Sequence, residues 1–515
     1  MYQALLTRRY LLSKIMPLLA ALGVALCTAM VLITWSVMGG FLKTLLESGR
    51  SMVGDVSIRW PYVGFAHYDD LILRLEADPD IEAASPVIQT LALLALPDGK
   101  VKDVLLNGID GESFNRVTGY HDHLWWRPLA EPLPKDEDRS DWRVNVENAA
   151  LFERMLAAGQ TLTEPDLDSG APKPAIVLGV EVTGYNFRDP DGVITPGVPY
   201  APQADGSVER KGGFLANGGE LTMHVLPLST SGRAIEMVTR TFPVANEFRS
   251  GVFDVDNSAV FIRLDALQTL LNLDEATRLA DDADFNPLAL NPDGSFAEPP
   301  ATQIDPARVT TVLVRGRDGL GPDEIKDKVR AIYTDFANAH RGEVPSELEI
   351  LLSTWEEQNR TLIAAVRKET SLVLFIFSFI SLTAVFLVLA IFWSMVSEKT
   401  RDIGVLRALG ASAWGVAGVW LAYGVAIGVL GSITGGLIAW AVVRNINEIH
   451  EWIGRTTGQY IWDPAVYYFT EIPSKLDPFD AAMVLSGGVI SCVIGAAWPA
   501  LRAAHMRPVR ALRFE

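Results

Sequence analysis

Two histidines flank an acid in His121-Asp122-His123, residue types that can hold a transition metal. Ligands at i and i+2 supply only two of the three or four donors a zinc site needs. No further donor lies near in sequence, so the triplet reads as surface histidines. Acid-rich stretches at 128–141 and 281–305 could attract calcium, but neither carries the spaced Asp-x-Asp-x-Asp-Gly pattern of a calcium loop. The chain contains no Gly-x-Ser-x-Gly elbow and no His-Glu-x-x-His helix. Gly-Lys-Ser and Gly-Lys-Thr are also absent, and Gly39-Gly40-Phe41-Leu42-Lys43-Thr44 only vaguely resembles a phosphate loop. These residues support no enzyme, metal or cofactor site, and any ATP the protein depends on must be bound by another polypeptide.

A different chemistry is written at 398–412. Counting 100° per residue from Glu398, the apolar residues Ile403, Leu406, Val405 and Leu409 span an arc of about 160°. Glu398 and Asp402 project into that arc, Arg401 and Arg407 flank it, and Lys399 adds a further cation. Acids set among apolar residues are costly in acyl chains, whereas a protein groove can supply donors. The mixture favours docking on a protein over resting on lipid. Gly410 sits where such a helix should end.

The elements that hold this segment follow from the distribution of apolar residues. Of 515 residues, 49% are hydrophobic and only 21% charged. Four stretches, 15–41, 370–397, 408–443 and 481–501, contain no charge at all. Each can cross roughly 30 Å of hydrocarbon, which takes about 20 helical residues. A purely soluble protein is excluded. The first run is about twice the length of a signal-peptide core, so it reads as an uncleaved span. Both cysteines, Cys27 and Cys492, lie within these runs, which leaves the large loop no thiol for a disulfide or metal site.

Charge orients the spans. Residues 1–14 carry +3, the loop after the second span +1 and the tail +3, whereas 444–480 carry −3. Taken from the total of −18, these leave −22 for 42–369. The positive-inside rule then places both termini and the second loop in the cytoplasm and the large region outside. The expected order is a cytoplasmic segment 1–14, spans at 15–41 and 370–397 around an external domain 42–369, and a short cytoplasmic helix 398–412. A third span at 413–443, an external loop 444–480, a fourth span at 481–501 and a cytoplasmic tail 502–515 complete it. The net negative charge argues against a nucleic-acid partner.

Within 42–369, the patterns predict strands at 55–60, 175–179, 221–226, 258–262 and 310–315. They predict helices at 68–77, with Leu71, Ile72 and Leu75 on one face, and at 322–339. β–α units that open and close around a strand-rich middle imply an α+β domain split by an inserted β subdomain. The acid-rich stretches at 128–141 and 281–305 read as mobile surface loops.

The second loop, Ser397-Glu398-Lys399-Thr400-Arg401-Asp402-Ile403-Gly404-Val405-Leu406-Arg407-Ala408-Leu409-Gly410, closely resembles the signature of the FtsX/MacB-like ABC-transporter permeases. The tail, Pro499-Ala500-Leu501-Arg502-Ala503-Ala504 with Ala511-Leu512-Arg513-Phe514-Glu515, resembles the same family's C-terminus. Val466-Tyr467-Tyr468 through Pro473 is similar to a segment of the Lol lipoprotein-releasing branch, LolC and LolE. Ser36-Val37-Met38-Gly39-Gly40-Phe41 is also similar to that branch, with Gly39 in place of Asn. The likeness is close over about 1–60 and 355–515. It holds only in outline for the external domain, where 120–172 departs from the pattern.

The resemblance implies four membrane helices with a MacB-like periplasmic core between the first and second, in the bacterial inner membrane. It implies a non-catalytic subunit that pairs with a second permease subunit and with a cytoplasmic ABC ATPase carrying ATP and Mg. Glu398, Lys399, Arg401, Asp402, Ile403, Leu406, Arg407 and Gly410 would form the ATPase-coupling helix. ATP-driven motion would reach the periplasmic domain and release lipoproteins, handed on to a periplasmic carrier. The alternatives are an exporter of lipids or amphiphiles using the same relay, or a membrane-anchored sensor or scaffold. Charge-free spans rule out an ion relay. Met30, Ile33, Val37, Met38 and Phe41 on span one, with Phe375 and Phe379 on span two, are the candidate acyl-binding cavity. Gly424, Gly428, Gly431, Gly435 and Gly436 give span three Gly-x-x-x-Gly spacings suited to close helix packing, within the subunit as the first reading and at a dimer interface as the alternative.

Overall fold

A computed structural model describes residues 15–61, 63–129, 149–166, 169–188, 194–195, 200–202, 208–210, 218–227, 236–279, 302–317, 319–458, 462, 469 and 472–506. The N-terminal segment 1–14, most of both acid-rich stretches, most of 459–471 and the end of the tail lie outside the described residues.

In chain order, helix α1 (Ile15–Val53) leads into strand β1 (Val56–Arg59), helix α2 (Tyr68–Glu76), and strands β2 (Ile81–Ala95) and β3 (Val101–Ile109). Helices α3 (Gly111–Thr118) and α4 (Ala149–Thr161) precede strands β4 (Ile176–Gly179), β5 (Glu220–Val225), β6 (Val238–Phe248) and β7 (Ala259–Arg263). Helix α5 (Leu264–Leu271), strand β8 (Thr311–Gly316), helix α6 (Pro322–Ala339) and strand β9 (Leu351–Thr354) complete that region. The helices that follow include α7 (Arg360–Glu398), α8 (Thr400–Ala408), α9 (Ala413–Arg444) and α10 (Pro478–Ala504), with a shorter helix at Ile446–Thr457 between the last two.

The chain divides into two compact units. The membrane unit contains four helical stretches long and apolar enough to cross a membrane: Pro17–Leu46, Ile363–Glu398, Ala413–Arg444 and Pro478–Ala504. The third owes its packing to glycine. A Cβ on Gly424 would meet Ala496 Cβ at 2.8 Å, and one on Gly428 would meet Val489 Cα at 3.0 Å, so α9 lies directly against α10. On its other side, a Cβ on Gly435 would lie 2.5 Å from the Ala25 carbonyl oxygen of α1. The Gly-x-x-x-Gly spacings therefore serve contacts within one subunit. Val24, Phe392, Tyr423, Ile427, Cys492 and Ala496 fill the common core of the four helices.

The second unit is an α+β domain on one nine-stranded mixed sheet, ordered β5-β6-β4-β7-β3-β2-β8-β1-β9. Strand β5 pairs with β2 as well as with β6, so β5, β6, β4, β7, β3 and β2 close on themselves. The opening strand β1 lies between the two closing strands, with Val56 opposite Val314 on one side and Thr354 on the other. Strands β4, β5 and β6 from the strand-rich middle thus join the same sheet as the opening and closing strands. Strand β2 runs 15 residues, about 50 Å at the usual rise, and pairs with β8 at one end and with β3 and β5 at the other.

Alternation along the strands feeds two apolar layers. Val56, Ile58, Ala84, Ile88, Val312 and Val314 join Leu71 and Leu75 of α2 and Ile325, Val329, Tyr333 and Phe336 of α6. Ala83, Val87 and Leu313 face the other way, onto Phe114, Val117 and Tyr120. The end of the second acid-rich stretch also differs from a loop: Thr302–Asp305 pairs antiparallel with Ala276–Leu279.

The segment around 120–172, where the sequence departs from its resemblance, is tied to the sheet by polar contacts in an apolar setting. Trp126, Phe152, Met155 and Val180 cluster together. The Asn246 amide closes the join: its Oδ1 accepts from Trp126 N at 3.0 Å, and its Nδ2 donates to the Trp126 and Met155 carbonyls at 2.9 Å each. Buried Glu247 accepts from Trp126 Nε1 at 2.6 Å and from Asn186 Nδ2 at 2.8 Å. Burial pushes its carboxyl up to about 8.

His121 and His123 are half-buried rather than surface residues, on a 3-10 turn spanning Tyr120–His123. Burial pulls both imidazoles below their ordinary range. His123 packs on Phe248 at 5.5 Å, and its Nδ1 lies 3.3 Å from the Arg249 carbonyl oxygen.

Candidate functional site

Two features of the membrane unit carry the residues singled out from sequence. The first is α8, a nine-residue helix between α7 and α9. A continuous helix from Glu398 does not form. Glu398 is the last residue of α7, and Lys399 intervenes before α8 begins. Within α8, packing divides the apolar residues between a buried and an exposed side. Ile403 turns inward with Thr400 and Gly404, and Ile403 packs among Phe392, Val416 and Trp420. Val405 is 44% and Leu409 81% exposed, while Leu406 and Arg407 are half-buried. Ile403 therefore anchors the helix, and the apolar residues available to a partner are Val405 and Leu409.

The charges follow the same division. Asp402 is exposed and accepts from Lys399 Nζ at 2.8 Å. Arg407 Nη1 donates to the Ala411 carbonyl at 2.9 Å, closing the turn after the helix. Gly410 occupies that turn at φ 97°, in the left-handed region that favours glycine. Arg401 is exposed and makes no ion pair among the described residues. Ser412 then caps α9 by accepting from Gly415 N at 3.0 Å. Trp414, in the first turn of α9, is 78% exposed. Sequence reading passed over it because a tryptophan at the start of an apolar run looks like an interface anchor.

The second feature is an apolar groove between α1 and α7. A cavity of about 120 Å³ is lined by Thr34, Trp35, Met38 and Gly39 from α1 and by Thr370, Val373, Leu374 and Phe377 from α7. A second cavity of about 270 Å³, also lined by Trp35, lies among Val31, Val388, and Met483 and Gly487 of α10. Of the seven residues proposed from sequence, Met38 alone lines this groove. Phe375 and Phe379 pair edge to face at 5.1 Å on an exposed side of α7, 64% and 55% accessible. Met30 is 51% exposed, Ile33 packs near Leu32 and Ala439, Val37 is half-buried, and Phe41 meets Trp462 at 6.2 Å. The groove residues that sequence missed, Trp35, Leu374 and Phe377, have no signal in an all-apolar helix. Only the helix rotation set by packing distinguishes them. Gly39 helps keep the groove open, since a Cβ there would meet nothing closer than Trp35 Cδ1 at 3.9 Å.

Four helices long and apolar enough to cross a membrane, a large α+β domain between the first two and a short helix after the second make the architecture of a multi-pass membrane protein. Residues 374–508 match the family described as FtsX-like permease C-terminal. It is 28% identical over 182 residues to the lipoprotein-releasing system transmembrane protein LolC of Xylella fastidiosa (strain Temecula1), covering 34% of this chain and 44% of that relative. LolC of Neisseria meningitidis is 23% identical over 494 residues, 96% of this chain and 92% of the relative. LolE of Haemophilus influenzae is 27% identical over 117 residues, 23% of this chain and 28% of the relative. The chain thus spans less than half the length of the Xylella LolC proteins it matches.

Proposed function

We propose that this chain is the permease subunit of an ABC transporter that releases lipoproteins from the inner membrane for delivery to the outer membrane. The observation that carries this reading is the groove between α1 and α7, walled by Trp35, Met38, Leu374 and Phe377. A lipid anchor partitions into such a groove by burying CH₂ groups at about 0.8 kcal/mol each. The spans carry no charge that would suit a solute or ion path. The similarity to LolC over 96% of the chain supports the same substrate class.

In this mechanism, a cytoplasmic ATPase with its own ATP and Mg docks on the exposed side of α8, where Arg401, Val405, Leu409 and neighbouring Trp414 await a partner. Ile403 fixes α8 to the helical core, so displacement of α8 is passed to α7 and α9. A second permease subunit completes the transporter. The sheet domain then lies in the periplasm and passes the released lipoprotein to a soluble carrier. The test is reconstitution of the chain with its ATPase and second subunit in proteoliposomes loaded with a lipoprotein. ATP-dependent transfer to a soluble carrier is expected, and turnover of ATP without release would refute the substrate assignment.

A further inference from the structure

The geometry points to a divalent transition-metal site, of the kind zinc fills, formed by His67, His340 and Glu343 on the sheet domain. One ligand atom from each of the three lies within 4.8 Å of the others. Zinc bonds of 2.0–2.2 Å in a tetrahedron set ligand atoms about 3.4 Å apart. The nitrogen lone pairs lie in the ring planes, so the two stacked imidazoles must turn out of their parallel arrangement to close the set on one ion. His67 Nε2 and Glu343 Oε2 now lie 2.6 Å apart, so the ion would take the place of the proton they share.

Separate parts of the fold bring the three residues together. His67 caps the start of α2 in the left-handed backbone region, φ 57° and ψ 25°, which few side chains adopt. Its ring stacks on that of His340, the cap at the end of α6, with centroids 4.3 Å apart. Glu343 follows three residues later, and its side chain is 64% exposed, free to swing and open to an arriving ion. Behind His340, Asp70 accepts from Nε2 at 2.9 Å and is itself held by Arg74 Nε at 2.8 Å. A carboxylate that orients a ligating imidazole recurs behind metal sites. The His340 contact is also the main influence holding the Asp70 carboxyl below its ordinary range.

Two imidazoles and one carboxylate suit zinc rather than calcium or magnesium, and three protein ligands leave the fourth position to water. A bound ion would clamp the start of α2 to the end of α6, joining residues 276 positions apart. This site is independent of the transport reading.

The test uses the full-length protein in detergent, stripped with chelator and titrated with Zn²⁺ alone by calorimetry. Co²⁺ serves as an absorbance probe of tetrahedral geometry. One ion per chain is expected at micromolar affinity or tighter, with a raised unfolding temperature. Glu343→Gln and His340→Ala should each weaken binding at least 10-fold, and Asp70→Asn about 10- to 100-fold. Glu343 is exposed, so its variant keeps the fold and makes the result readable even if His340→Ala does not. Absence of saturable Zn²⁺ binding, or binding that Glu343→Gln leaves unchanged, would overturn the site.

Discussion

Leu409→Asp is the perturbation that best isolates docking on α8. Leu409 is 81% exposed within this subunit, so the substitution removes little that the permease itself uses. A change at such a surface position moves stability by about 0.5 kcal/mol or less. If the ATPase covers this residue, burying its side chain contributes about 2 kcal/mol. At about 1.4 kcal/mol per tenfold, that loss weakens association roughly 30-fold. Burial of the new carboxylate without a donor adds to it. Leu406→Asp is less informative because Leu406 is half-buried, so misfolding and uncoupling would coincide. Arg401→Glu is likewise cleaner than Arg407→Glu, which would also break the bond to the Ala411 carbonyl. The assay is ATPase affinity for the detergent-purified permease by biolayer interferometry, with the unfolding temperature measured beside it. Affinity within threefold of wild type in both Leu409→Asp and Arg401→Glu would show that α8 is not the docking element.

Gly435→Val should lower stability by about 1–3 kcal/mol through overpacking, because its Cβ would approach the Ala25 carbonyl oxygen at 2.5 Å. Gly487→Ala, with nothing within 4 Å of its Cβ, should not, and thermal unfolding in detergent compares the two. Gly39→Leu should insert and fold, yet fill the groove beside Trp35, cutting lipoprotein release at least severalfold while basal ATP hydrolysis persists; normal release would exclude the groove as the anchor path. Glu247, with its carboxyl raised to about 8, makes the folded domain bind more protons than the unfolded chain above about pH 4.5. Stability should therefore be greatest below that pH and fall as pH rises toward 8. Glu247→Gln should flatten this trend in unfolding temperature against pH. In a chain with both native cysteines replaced, Leu348→Cys, at a residue 94% exposed, should react with an impermeant thiol reagent from the periplasmic side. Ser412→Cys should not, and the reverse pattern would invert the topology.

Charge-free runs made the four membrane helices legible in the sequence, because spanning a bilayer depends on apolar length, a property of one contiguous segment. The short elements of the domain were legible for a similar reason. Pro322 opening α6 and the apolar run Val312–Val314 in β8 are local signals, and the structure places a helix at Pro322–Ala339 and a strand at Thr311–Gly316.

Juxtaposition was decided elsewhere. Strand β2 carries the sheet from one half of the domain to the other, and only its partners on both sides reveal that role. Ile403 and Leu409 lie about 120° apart around α8, and only packing against the neighbouring helices decides that Ile403 is buried and Leu409 exposed. Met38 lines the groove while Phe375 and Phe379 face away because glycine contacts and core packing set how each apolar helix is turned. His67 and Glu343, each unremarkable in sequence, meet only because α2 and α6 pack on the same face of the sheet. Spans and periodicities are fixed by neighbours along the chain, whereas grooves, docking faces and ligand sets require contacts between separate elements.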